Sequence, residues 1–130
     1  MTIKLVVSGC RDFMNEEFIE AKLVEWIEEL GPVEIVHGGC HGTDTVVNNI
    51  AARLGIPCTP FKASFRHGKI GGPARNYVMV READALLAFW RPGCKGTTDA
   101  IRQASNQPPE RGVRVKTVNI EGIPNFTDPF

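Results

Sequence analysis

The sequence has no excess charge of either sign: fifteen basic residues stand against fifteen acidic ones, and the formal net charge is zero. A protein that grips long nucleic acid usually carries a basic excess or a basic face, so nucleic acid is not expected as a partner. No apolar run approaches the length of a membrane span, and the N-terminus lacks a signal-peptide pattern. No membrane partner is expected, and the cytoplasm is the expected location. The four cysteines include no Cys-x-x-Cys pair and lie far apart. In a cytoplasmic protein they read as reduced thiols, and neither a metal site nor a cofactor is expected. Repeats, low-complexity segments and linkers are also missing. The 130 residues, 42% of them apolar, therefore read as one domain over 1–130, with an irregular tail over 120–130.

What the chain does have is an apolar run at 85–90, a glycine-bearing turn and a helical pattern to 104. Ala85 to Trp90 is unbroken by polar residues, as in a strand covered on both faces. Pro92, Gly93 and Gly96 interrupt it, and Thr97 or Thr98 is expected to cap the following helix. A helix start preceded by glycines can receive an anion, because its amides point outward at the positive end of the dipole.

The same alternation recurs along the chain. Residues 3–8 read as a first strand ending in Gly9, with a loop at 9–13. Asn15 is the expected cap of a helix whose apolar stripe is Ile19, Leu23, Trp26, Ile27 and Leu30. Gly31-Pro32 stops it. A second strand at 33–36 leads into a second glycine loop at 38–44 and a helix striped by Val46, Val47, Ile50, Ala51 and Leu54. A third, weaker strand at 56–61 contains Pro57 and Pro60 and is expected at an edge. A basic loop follows at 62–72. Pro73 opens a third helix ending near Glu82, with Arg75 and Asn76 in its first turn. After the strand at 85–90 and the last helix, a fifth strand is expected at 113–118.

Strands alternating with helices predict an α/β fold: a Rossmann-like, doubly wound parallel sheet of about five strands, order 3-2-1-4-5, with helices on both faces. That order sets strands one and four side by side. A crevice opens beyond their carboxyl ends, where the loops at 9–13, 38–44 and 91–98 converge.

Four motifs carry a resemblance. Gly9-Cys10-Arg11-Asp12-Phe13, His37-Gly38-Gly39-x-x-Gly42-x-Asp44, His67-Gly68-Lys69-x-x-Gly72-Pro73-x-Arg75-Asn76 and Ala83-Asp84-x-Leu86-Leu87-Ala88-Phe89 resemble the YspA-like (DUF2493) branch of the SLOG superfamily. That superfamily includes LOG-type cytokinin-activating hydrolases and DprA/Smf DNA-processing proteins. The resemblance spans about residues 3–119. It implies a Rossmann-like domain binding nucleotides or their derivatives, assembly as a homodimer or higher homo-oligomer, and a frequent origin in phage or mobile elements. LOG-type enzymes split a base from ribose 5'-phosphate using an arginine ahead of Pro-Gly-Gly-x-Gly-Thr-x-x-Glu. Arg75 resembles that arginine, and Pro92, Gly93, Gly96 and Thr97 match the glycine motif. Cys94 replaces one glycine, and Ala100 stands where the catalytic glutamate would be. Asp99 is one residue short, which turns a helical side chain by about 100°.

The expected ligand site is therefore Gly9, Cys10 and Arg11 from the first loop and Gly38, Gly39 and Gly42 from the second. Lys69, Arg75 and Asn76 come from the basic loop and third helix, and Pro92, Gly93, Lys95, Gly96, Thr97 and Thr98 from the fourth loop. Asp12, Asp44 and Arg75 are the candidates for catalysis. Asp12 reads as a turn aspartate, as a cap of the following helix region, as a group orienting Arg11, or as a general base toward water; Asp44 either favours its helix start or binds ribose hydroxyls. Trp90 either stacks on a base or packs in the core or an interface. The first expected function is binding of a small nucleotide-like ligand for sensing or sequestration. The alternative is an N-glycosidase or phosphoribohydrolase acting on a nucleoside 5'-monophosphate. Single-stranded DNA binding ranks third, for want of a basic, aromatic-rich stripe.

Overall fold

The computed structural model describes residues 2–38, 42–61 and 72–126, apart from the side chains of residues 72–75. The described chain runs β1 (Ile3–Gly9), α1 (Glu16–Leu30), β2 (Val33–His37), α2 (Thr43–Leu54), β3 (Cys58–Pro60), α3 (Gly72–Arg81), β4 (Ala85–Trp90), α4 (Lys95–Ser105) and β5 (Arg114–Asn119), with a 3-10 turn at Pro109–Arg111. All five strands are parallel, in the order β3-β2-β1-β4-β5. This is the doubly wound, Rossmann-like α/β arrangement expected from the sequence. No helix among the described residues is long and apolar enough to cross a membrane.

The alternation of side chains along β1 divides the core in two. Leu5 and Val7 face one way and pack with Ile19, Leu23 and Trp26 of α1 and Val47, Ile50 and Ala51 of α2. Val6 faces the other way, with Leu86 of β4, Met79 and Val80 of α3, and Ala100 and Ala104 of α4. Both faces are therefore covered, and every residue from Ala85 to Phe89 is buried. That explains the unbroken apolar run. The edges are weaker: β3 has only three residues, follows Pro57 and ends in Pro60, and β5 has only exposed and half-buried positions.

Local signals account for most helix ends. Asn15 accepts a bond from the Phe18 amide at 3.1 Å, capping α1 as expected. Gly55 closes α2 in the left-handed conformation. The expected cap of α4 by Thr97 or Thr98 is corrected. The helix begins earlier, with Cys94 at the cap position and no side-chain cap bond. Thr98 Oγ1 instead donates back to the Cys94 carbonyl at 2.8 Å.

The described part of the tail, residues 120–126, docks on the loop that follows β1. The Met14 amide donates to the Asn125 carbonyl at 2.7 Å, and Asn15 Nδ2 donates to the Pro124 carbonyl at 3.0 Å.

Candidate functional site

Strands β1 and β4 are neighbours, with Gly9 beside Phe89, but their connections leave on opposite faces of the sheet. Their carboxyl ends open into a cleft of about 530 Å³. Its described lining comes from the end of β1 and its loop (Ser8 to Asp12), from Asp44, and from the turn into α4 (Arg91 to Thr97). Of the expected site, this unites Gly9, Cys10, Arg11, Asp12, Asp44, Pro92, Gly93, Lys95, Gly96 and Thr97. Gly38, Gly42, Asn76 and Thr98 lie outside that lining. Gly39, Lys69 and the side chain of Arg75 fall outside the described residues.

Close packing holds the first loop in place. Phe13 is buried and stacks on Phe89 at 6.3 Å between ring centres, which pins the loop to β4. Thr43, buried at the start of α2, donates from Oγ1 toward the Cys10 and Phe13 carbonyls, at 3.1 and 2.9 Å. Two glycines make this approach possible. A Cβ on Gly9 would lie 2.4 Å from Thr43 Oγ1, and a Cβ on Gly42 would lie 2.0 Å from the Arg11 carbonyl oxygen. Gly42 also has φ +81, a conformation that side chains disfavour. Thr43 was not singled out by sequence, because its role depends on a contact 33 residues away.

The second wall is the start of α4. Lys95 N–H bonds the Gly93 carbonyl and Thr98 N–H bonds the Cys94 carbonyl. The amides of Gly96 and Thr97 between them have no acceptor among the described residues. Ser8 Oγ and Thr97 Oγ1 lie 3.3 Å apart, joining this turn to β1. Behind it, Asn76 of α3 donates from Nδ2 to the Gly96 carbonyl and to Asp99 Oδ2, both at 3.0 Å. Asn76 therefore supports the turn from behind, and holds the part of α3 carrying Arg75 beside the start of α4.

The charges of the described lining are three cations, Arg11, Arg91 and Lys95, against two carboxylates, Asp12 and Asp44. Arg91 pairs with Asp12 and donates to Asn125 Oδ1 at 2.7 Å. It thus ties the cleft rim to the tail. Sequence reading gave Arg91 no role, since both partners are distant in the chain. Arg11 and Lys95 form no ion pair among the described residues. Asp44, only 6% exposed, lies in the first turn of α2, where the helix dipole favours a negative charge. Trp90 is half-buried, and its indole N–H donates to Thr98 Oγ1 at 2.8 Å.

Two side chains bear on catalysis by being elsewhere. Ala100 is fully buried in the core beneath α4. Asp99 receives hydrogen bonds from Asn76, Gln103 and Arg102. Burial alone would raise its pKa, but these bonds and the Arg102 charge outweigh it and hold the carboxyl below its ordinary value. Asp99 also lies outside the described lining of the cleft. Helix α4 therefore presents no carboxylate to it.

The expectation of reduced thiols is corrected at two positions: Cys10 and Cys94 are joined by a disulfide, with Cα atoms 5.5 Å apart. Parallel pairing of β1 with β4 brings the residues after their carboxyl ends together, within the span that a disulfide bridges. Cys58 is a free thiol, and Cys40 lies outside the described residues. Burial, then the negative charge of Asp44, pushes the Cys58 thiol up. Among the described residues, no three His, Cys, Asp or Glu side chains converge in a group able to hold a metal ion.

The fold is similar to that in the X-ray structure of TM1055, at 19% sequence identity and a TM-score of 0.57, covering 80% of this chain and 68% of that one. No curated protein matches the sequence. The profile of the YAcAr family, described as the YspA, cpYpsA-related SLOG family, matches residues 3–68, half of the chain. Those residues contain β1, α1, β2, α2 and β3, with the first loop of the cleft and Asp44. By that match, the chain belongs to the YspA, cpYpsA-related SLOG family.

Proposed function

We propose that the cleft binds a small phosphate-bearing molecule, a nucleotide or nucleotide derivative, which the protein senses or sequesters. The observation that carries this reading is the pair of adjacent amides, Gly96 and Thr97, without acceptors among the described residues at the start of α4. An anion there meets two donors and the positive end of a helix dipole, worth about 0.3–2 kcal/mol for the dipole alone. Arg11 and Lys95 supply charge at the same cleft. SLOG membership supports a nucleotide rather than a bare anion. The cleft volume of about 530 Å³ lies within the range of small-molecule sites.

The same geometry favours retention of the ligand over its cleavage. LOG-type hydrolysis needs a carboxylate at the position that Ala100 occupies, and Asp99 is engaged elsewhere. The second reading, an N-glycosidase, rests on Asp44 in the cleft wall, with Asp12 beyond its pairing to Arg91. Arg75 stays part of either reading as a phosphate ligand, from the turn of α3 that Asn76 holds beside Gly96.

The test is incubation with nucleoside monophosphates, NAD, cyclic dinucleotides and inorganic phosphate, followed by calorimetry and chromatography. Intact nucleotide recovered with the protein, and weakened binding in Arg75→Ala, is the expected result. Free base released by the wild type but not by Asp44→Asn selects the glycosidase. Neither binding nor release across the panel rejects both readings.

A further inference from the structure

We propose that Cys10 and Cys94 are a redox modification site, a reversible thiol–disulfide pair whose state sets the affinity of the cleft for anions. The oxidised form binds and the reduced form releases. The proposal rests on the reading of the cleft as an anion site.

Both cysteines line that cleft. Cys10 follows β1 directly and Cys94 is the cap residue of α4, so the bond between them crosses the switch point itself. The surroundings also accommodate the reduced pair. Cys10 Sγ lies 3.7 Å from the Phe89 carbonyl oxygen, so a thiol hydrogen there has an acceptor already in place. Cys94, once released, stands at the positive end of α4, an environment that stabilises a thiolate. That thiolate would claim the same dipole and the same first-turn amides that the ligand phosphate needs, and its charge would repel the phosphate. Oxidation removes the charge and leaves the amides of Gly96 and Thr97 to the ligand.

Access sets the order of events. Cys10 is 3% exposed, whereas Cys94 is half-buried at the cleft wall. The thiolate of a low-molecular-weight thiol attacks Cys94 Sγ, the bond to Cys10 breaks, and Cys10 Sγ leaves with the electron pair and takes up a proton. The thiolate of a second small molecule then attacks the first one's sulfur in the mixed disulfide, and Cys94 Sγ leaves with the electron pair and takes up a proton. Two small thiols are oxidised to one small disulfide, and the protein disulfide is reduced to two thiols. Exchange with a low-molecular-weight disulfide reverses the reaction.

The test equilibrates the full chain in reduced and in oxidised dithiothreitol. Peptide mapping after alkylation reads the state of Cys10 and Cys94, and calorimetry reads the affinity for inorganic phosphate. The pair should interconvert fully, and reduction should weaken phosphate binding by about threefold to fivefold. Cys10→Ser and Cys94→Ser should both lose the response to the buffer, with Cys10→Ser held at the affinity of the reduced form because it keeps the Cys94 thiol. Failure of the bond to form in oxidised buffer overturns the proposal. Equal affinity in the two states overturns the switch and leaves the cleft reading standing. Binding in neither state overturns both.

Discussion

Asn76 and Asp99 lock helix α3 to helix α4: the Asn76 side-chain amide donates to Asp99 Oδ2 and to the Gly96 carbonyl, each at 3.0 Å. Asn76 is 2% exposed, whereas its partners Gly96 and Asp99 are exposed and half-buried, so water offsets part of the loss when the side chain is removed. Asn76→Ala should lower stability by about 1–3 kcal/mol in urea unfolding. It should also weaken nucleotide binding, because the turn that presents the Gly96 and Thr97 amides loses its support.

Asp99 gives the fold an acid-sensitive element. Its carboxyl is held below the ordinary value in the folded protein, whereas in the unfolded chain it titrates near ~3.9. The unfolded state therefore binds more protons in the interval between those values. The stabilisation is fully present above the unfolded value and is lost as pH falls through the folded one. Thermal melts of Asp99→Asn should show a variant less stable than wild type at pH 7, with the difference shrinking once the pH drops below about 4.

The strand order was legible from the alternation of strands and helices, the centre from β4, apolar at every position, and one edge from Pro57 and Pro60 in the third strand. Burial on both faces thus marked the centre of the sheet and interruption marked an edge. The meeting of the loops at 9–13 and 91–98 was legible because both follow central strands and carry glycines. The Cys10–Cys94 bond and the Asp12–Arg91 pair were not, since each joins residues about 80 positions apart whose types carry no mark of the partner. Asp12 was read for catalysis and is found paired with an arginine that was read only as the first residue of a turn. The tail was read as irregular because it holds glycine, proline and asparagine. Its docking by the Met14, Asn15 and Arg91 bonds depends on backbone carbonyls and one amide side chain, which leave no pattern in sequence.

Gly9 is set by its neighbour across the sheet rather than by its own conformation. An added Cβ would lie 2.4–2.5 Å from three side-chain atoms of Thr43, which is too buried to swing aside. Gly9→Ala should push the start of α2 away and weaken the Thr43 bonds to the first loop. The expected cost is about 1–3 kcal/mol, read by denaturant unfolding.

Cys58 should be a slow nucleophile. Burial and the nearby Asp44 charge both raise its pKa, so less thiolate is present at neutral pH. Alkylation by iodoacetamide at pH 7.5, followed residue by residue with peptide mass spectrometry, should modify Cys58 more slowly than a cysteine in the urea-unfolded chain. Asp44→Asn should bring the rate closer to the unfolded one.

Gly96 separates stability from binding. It lies in the first turn of α4, and an added Cβ meets nothing within 4 Å. Alanine is a better helix former than glycine, so Gly96→Ala should leave stability unchanged or raise it by up to about 1 kcal/mol. The same methyl group would stand beside the amides that we propose receive a ligand phosphate, because Gly96 lines the cleft. Loss of one hydrogen bond to a charged group, about 1.5–3 kcal/mol, corresponds to tenfold or more in Kd. A variant that melts no lower than wild type yet binds nucleotide at least about tenfold more weakly is the expected outcome. Undiminished binding would mean that the phosphate does not approach the start of α4, and the amides of Gly96 and Thr97 would then have no part in ligand recognition.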